Sequence, residues 1–192
     1  MKKLLSFLTM IVLVTLIGGC GKESTEDPDP ENNNEPTIPE YYVKYEGNYY
    51  AIDKTVAFIQ DIWVGYSEFD IFLAPSTVTY DTLMESLTGT GSGLTMKLWL
   101  AETATSIAPG VFNIGSPATI EINDLTDCAF MNHTDNWDGS GYEGRITIST
   151  GTLTVVKNSS VYTLDFTGAD ESGKAITAHF KGSIQMHQAS LK

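Results

Sequence analysis

Only two cysteines, Cys20 and Cys128, occur in 192 residues, which is too few for a disulfide-stapled scaffold. Basic residues are also scarce, with 11 Lys and Arg against 24 Asp and Glu. That balance argues against nucleic acid, whose phosphates need clustered Lys and Arg, and against electrostatic docking on anionic lipid. Catalytic signatures are missing too. The chain holds no Gly-x-Ser-x-Gly elbow, no His-Glu-x-x-His and no paired cysteines. Thr88 to Gly93 is glycine-rich but lacks the spacing of a phosphate loop or a dinucleotide fingerprint, and it reads as a flexible loop. These absences favour a protein that is not an enzyme. A hydrolase built on two converging carboxylates stays open as an alternative, because abundant acids leave no motif.

What is present is alternation. From Ile176 to Met186, every second residue (Ile176, Ala178, Phe180, Gly182, Ile184, Met186) makes an apolar face, and Thr177, His179, Lys181, Ser183, Gln185 and His187 make a wet one. A period of two held this long describes a β-strand, and Gly182 within it predicts a bulge or bend. The organisation of the chain follows from this strand and its neighbours.

The first residues read as an export signal. Lys2 and Lys3 precede a largely apolar run from Leu4 to Ile17, fourteen positions long, and Gly18-Gly19-Cys20 follows. As a helix this run would span about 21 Å against roughly 30 Å of hydrocarbon, too short for a membrane span. Ile17-Gly18-Gly19-Cys20 resembles the lipobox of bacterial lipoproteins. The resemblance implies cleavage before Cys20, lipidation of its thiol, and anchoring to a membrane by several acyl chains. Removing residues 1–19 takes away two lysines and no acid, leaving 11 − 2 = 9 basic and 24 acidic residues, a net charge of −15. It also leaves Cys128 without an intramolecular partner, so stability must come from burial. Asp127 to Met131 reads as strand, with Cys128 as a small buried hydrophobe.

Residues 20–40 read as a lipidated cysteine and a disordered acidic tether. Gly21 to Glu40 holds four of the seven prolines, seven acids and one aliphatic residue, Ile38, and cannot bury enough apolar surface to order itself. An acidic stretch soon after a lipidated cysteine resembles the export signal of Bacteroidota-type surface lipoproteins. This implies an outer-membrane lipoprotein exposed at the cell surface, with a periplasm-facing placement as the alternative.

Residues 41–192 read as one all-β domain. Tyr41–Tyr45 and Tyr49–Ile52 form a hairpin, with Thr55–Gln60, Tyr66–Leu73, Leu94–Ala101, Val111–Ile114, Ala118–Ile122, Asp127–Met131, Glu143–Ser149, Thr152–Lys157 and Val161–Thr167 as further strands. The early tyrosines suit a core rim better than a sugar site. Asp81 to Leu87 is the one helical turn expected, because Thr82 and Glu85 have capping-box spacing. Asp81-Thr82-Leu83 also resembles the short O-glycosylation motif of Bacteroidota-type exported proteins. About eleven short strands and at most one short helix predict an antiparallel β-sandwich, with a closed lipocalin-like barrel as the alternative. The last third, from Gly151 to Ile184, resembles C-terminal meanders of Bacteroidota-type lipoproteins, which are sandwich-like or lipocalin-like.

Candidate ligand-binding residues gather in one polar loop: His133, Asp135, Asn136, Trp137 and Asp138. A solvated hairpin connection with its Trp folded over the sheet edge, a sugar site with Trp137 as platform, and a calcium site all fit such a loop. The EF-hand pattern fails, since Gly139 at position six puts Thr134 at position one and Arg145 at position twelve. No cofactor is therefore expected, calcium being the weakly supported exception. Trp99 shares a face with Thr95 and Lys97, and is either an exposed aromatic or covered by a second layer. His179 and His187 lie about 26 Å apart along a straight strand, too far to share one ion, and read as solvent-facing. The expected function is a lipid-anchored, non-catalytic binding module for a glycan or an envelope protein; the alternatives are a lipocalin-like carrier of a small apolar ligand and the hydrolase.

Overall fold

The alternation in the sequence becomes thirteen strands. The computed structural model describes residues 37–63, 65–81, 86–115, 121–132, 137 and 144–188. The strands are β1 (Tyr42–Tyr45), β2 (Asn48–Ala51), β3 (Lys54–Trp63), β4 (Tyr66–Ala74), β5 (Thr79–Asp81), β6 (Ser86–Thr88), β7 (Gly93–Ala101), β8 (Gly110–Ile114), β9 (Asp124–Met131), β10 (Ile146–Asn158), β11 (Val161–Asp170), β12 (Ala175–Gly182) and β13 (Ile184–Gln188). No helix occurs among the described residues, so the fold is all-β, as expected.

Eleven strands form one sheet in the order β13-β3-β4-β7-β9-β8-β10-β11-β12-β1-β2, while β5 and β6 form a separate hairpin. All pairs are antiparallel except β13 with β3 and β8 with β9. The sheet curls into a half-barrel. Tyr45 on β1 stacks on Phe130 of β9 with ring centroids 4.9 Å apart, and Tyr50 of β2 lies 5.2 Å from the same ring. Strands this far apart in the pairing order meet only if the sheet bends round on itself. The two facing layers therefore come from one curled sheet, not from two separate ones. The closed lipocalin-like barrel is not formed, because the pairing order ends at β13 and β2.

The organising strand shows how the bend is made. Its first half pairs with β11 and β1, and its second half pairs with β3, the chain changing neighbours after Gly182. Ile176, Ala178, Phe180 and Ile184 are all buried inside the curl. On β10 and β11, Gly151 and Gly168 face each other across the ladder, and the Phe166 ring covers both. A Cβ on either glycine would lie 2.8 Å from that ring, so the ring fills the space that two side chains would otherwise contest.

Three expectations are corrected. The helical turn expected over Asp81–Leu87 is not formed at its described ends, which are strand, with Tyr80 opposite Leu87 and Asp81 opposite Ser86; residues 82–85, including Thr82, Glu85 and most of the Asp-Thr-Leu motif, lie outside the described residues. Leu87 and Val78 are buried, and Tyr80 packs with them on the outer face of β3 and β4. Glu143–Ser149 and Thr152–Lys157 are not two strands; Ile146 to Asn158 is one strand of 13 residues, with a register irregularity between Ile148 and Thr150. Of the strand expected over Ala118–Ile122, residues 118–120 lie outside the described residues, and Glu121 and Ile122 precede β9 outside any strand.

Candidate functional site

Four of the loop candidates, His133, Asp135, Asn136 and Asp138, lie outside the described residues. Trp137 is described, and it is buried at 6% exposure. Its backbone N–H donates to Gly89 O at 3.0 Å and its indole Nε1 to Gly91 O at 2.9 Å. The six-membered ring lies over Gly93, where a Cβ would sit 2.7 Å from Cζ2 and Cη2. Read in sequence as a flexible loop, the glycine-rich stretch is a seat for this indole. Trp137 joins Val56, Phe58, Ala74, Val78, Leu87 and Met131 in a second apolar cluster outside the curl.

Trp99 is buried as well, at 7% exposure, with Nε1 donating to Thr126 Oγ1 at 2.9 Å. This matches the covered alternative and not the exposed one. Around it, Lys97 pairs with Glu68 at 2.8 Å and with Asp127 at 3.6 Å. Burial works to lower the Lys97 pKa, but the Glu68 hydrogen bond and the charges of Asp70, Glu68 and Asp127 outweigh it and hold the ammonium above its ordinary value. Asp127 reaches this position through a bulge. Thr95 pairs with Ala129 but Lys97 with Thr126, so β9 carries one extra residue there, and Asp127 takes φ 48°. The same insertion explains why Leu125, Cys128 and Phe130 all face inward despite their uneven spacing. Burial pushes the Cys128 thiol up to about 12, so it stays protonated and behaves as a small hydrophobe.

The other half of the outer surface is built differently. On β1, β2, β11 and β12 the residues between the core positions face out. The register aligns Tyr42, His179, Asp165 and Thr154 in one row, and Tyr49, Lys44, Thr177, Thr167, Thr152 and Asn113 in the next. Tyr42 and Tyr49 meet edge to face at 5.0 Å, and Lys44 Nζ lies 4.7 Å from the Tyr49 centroid. The His179 ring is 6.3 Å from Tyr42, and its Nδ1 sits 2.7 Å from Asp165 Oδ1. Tyr42, Tyr49 and His179 are half-buried, and Asp165 and Thr167 are exposed. Of the early tyrosines expected on the core rim, Tyr45 is core and Tyr41 and Tyr50 pack against it, whereas Tyr42 and Tyr49 face outward. A turn centred on Ser172 brings Asp165 opposite His179 within the β11–β12 hairpin, but the register that adds Tyr42 is long-range.

His187 departs from its solvent-facing expectation. Its ring stacks on Tyr80 at 3.9 Å, and Nε2 is buried with no partner among the described residues. No group of three or more His, Cys, Asp or Glu among the described residues could hold a metal ion.

A buried polar pair fastens β1 to the β11–β12 turn. Tyr45 Oη donates to Asp170 Oδ2 at 2.7 Å, while the backbone N–H groups of Ser172 and Lys174 and the Ser172 hydroxyl donate to Oδ1. The Ser172 and Tyr45 hydrogen bonds pull Asp170 down to about 2, against an ordinary value of 3.8. Burial, then the Asp170 bond, push Tyr45 up to about 12 from 10.0. Asp170 thus adds stability above pH 3.8 that is lost as pH falls towards 2, and Tyr45 adds stability below pH 10.0 that is lost as pH rises towards 12. Chemical denaturation as a function of pH is expected to show both limbs, and Asp170→Asn to flatten the acid one. An unchanged acid limb in that variant would contradict the assignment.

No family model, curated protein or solved structure matches the chain.

Proposed function

We propose that the chain is a lipid-anchored, exported binding module, non-catalytic, held by Cys20 and its acidic tether at the outer-membrane surface. One observation carries the reading: the two halves of the outer sheet surface are treated differently. The half on β3, β4, β7 and β9 is covered by the β5–β6 hairpin and Trp137, or occupied by the Lys97 ion pairs. The half on β1, β2, β10, β11 and β12 leaves aromatic, imidazole, carboxylate and hydroxyl groups facing out. An open face of mixed chemistry suits recognition.

The carrier reading loses support because aromatic rings span the interior from β1 and β2 to β9. Labelled palmitate is expected to enter the wild-type protein and not Cys20→Ser, and protease added to intact cells is expected to remove the domain. Equal labelling of the two proteins would overturn the anchor, and full protection would overturn the outward placement.

A further inference from the structure

We propose that Tyr42, Tyr49, His179 and Asp165 form a subsite for a neutral sugar ring, with the neighbouring threonines extending the contact along a glycan chain. This deepens the binding-module reading and rests on it. A sugar ring offers apolar C–H faces and a rim of hydroxyls, so its site needs aromatic surface beside fixed polar groups. Both are here within one corner of the sheet. Tyr42 lies between the other two rings, 5.0 Å from Tyr49 and 6.3 Å from His179 between centroids. The 2.7 Å bond from His179 to Asp165 fixes the imidazole and one carboxylate oxygen, and the Asp165 side chain is still 54% exposed, with acceptor capacity left for hydroxyls. Lys44, beside Tyr49, adds a donor.

The surrounding charge selects the ligand class. On this face Lys44 and the exposed Lys181 stand near Asp165, so the charge is mixed and close to balance, which suits a neutral glycan better than one bearing a charge on every residue. A protein partner would favour an apolar centre with a polar rim. This face is the reverse, with polar groups at its centre and the exposed apolar residues Val111, Val156 and Val161 towards its β8, β10 and β11 margin. The row from Tyr49 on β2 to Asn113 on β8 crosses five inter-strand steps, about 24 Å at the usual strand spacing. An extended chain therefore fits better than a single small molecule.

The test is calorimetric titration of the full chain, purified in detergent, with neutral polysaccharides (β-glucan, α-glucan, mannan, xylan) and acidic ones (polygalacturonate, chondroitin sulfate). At least one neutral glycan is expected to bind, with Tyr49→Ala and Asp165→Asn each weakening it about tenfold or more. Tyr49→Phe should retain binding, and Asp165→Asn, an exposed change, should leave the melting temperature in place. A photo-crosslinking residue at position 167, used on intact cells, supplies the second arm. Cross-linking to polysaccharide supports the proposal. Cross-linking to protein with no glycan titration overturns the sugar subsite and leaves the binding-module reading standing. Silence in both arms overturns both, and glycan binding that survives both variants overturns this subsite.

Discussion

Replacing Phe130 by alanine is expected to cost about 3–5 kcal/mol of stability, the range for losing a fully buried aromatic. For a domain of this size that corresponds to a melting temperature lower by roughly 6–20 °C. Phe130 is 1% exposed and meets both Tyr45 and Tyr50 across the interior, so its ring joins β9 to strands that pair with β9 nowhere in the sheet. The loss should therefore exceed that of an average core truncation, because it removes a contact that holds the curl as well as apolar area. Tyr45 also bears the bond to Asp170, so the variant is expected to weaken the acid limb of stability described above. Thermal unfolding by circular dichroism measures the first effect. A change under about 0.5 kcal/mol, the range for surface positions, would contradict the curled arrangement.

The second large effect is expected at Gly93. A side chain there would place Cβ 2.3 Å from the Leu73 carbonyl oxygen and 2.7 Å from the Trp137 indole. The indole could swing away, but the carbonyl belongs to the neighbouring strand and cannot move without breaking the β4–β7 ladder. Gly93→Val is thus expected to destabilise by about 3 kcal/mol or more, at the upper end of overpacking. It should also expel Trp137 from its seat, giving red-shifted emission and easier acrylamide quenching, while Trp99 stays shielded behind its Thr126 bond. Wild-type emission with wild-type stability would mean that the indole is not seated on Gly93.

How far the sequence reveals this fold depends on the range of the interaction concerned. Period-two patterning is local, so the strands at Tyr66, Leu94, Val161 and Ala175 are legible, as is the inward-facing Cys128. The break at Gly182 is legible for the same reason, since glycine inside a strand weakens it. The hairpin at Tyr80 and Leu87 is not. Thr82 and Glu85 supply helix-start chemistry, and only packing on the apolar outer face of β3 and β4, which no pattern within 81–87 reveals, favours strand. The fates of the tryptophans are also non-local. Trp137 is buried because Gly89, Gly91 and Gly93 admit it, and Trp99 because a bulge at Asp127 brings Thr126 within reach. Aromatic residues near polar loops suggest a ligand platform when read alone, but here both indole N–H groups are consumed inside the protein. The open corner at Tyr42 and His179 joins hairpins about 135 residues apart, and requires the β1–β12 register that no local signal supplies.

Amide chemical-shift mapping of the mature protein, titrated with a neutral oligosaccharide that binds it, tests the central claim most directly. The account predicts perturbations concentrated at Tyr42, Tyr49, Asp165, Thr177 and His179, with Trp99 and the Trp137 seat unmoved. Perturbations centred on Trp137 and Gly89 to Gly93, with the open face silent, would contradict it.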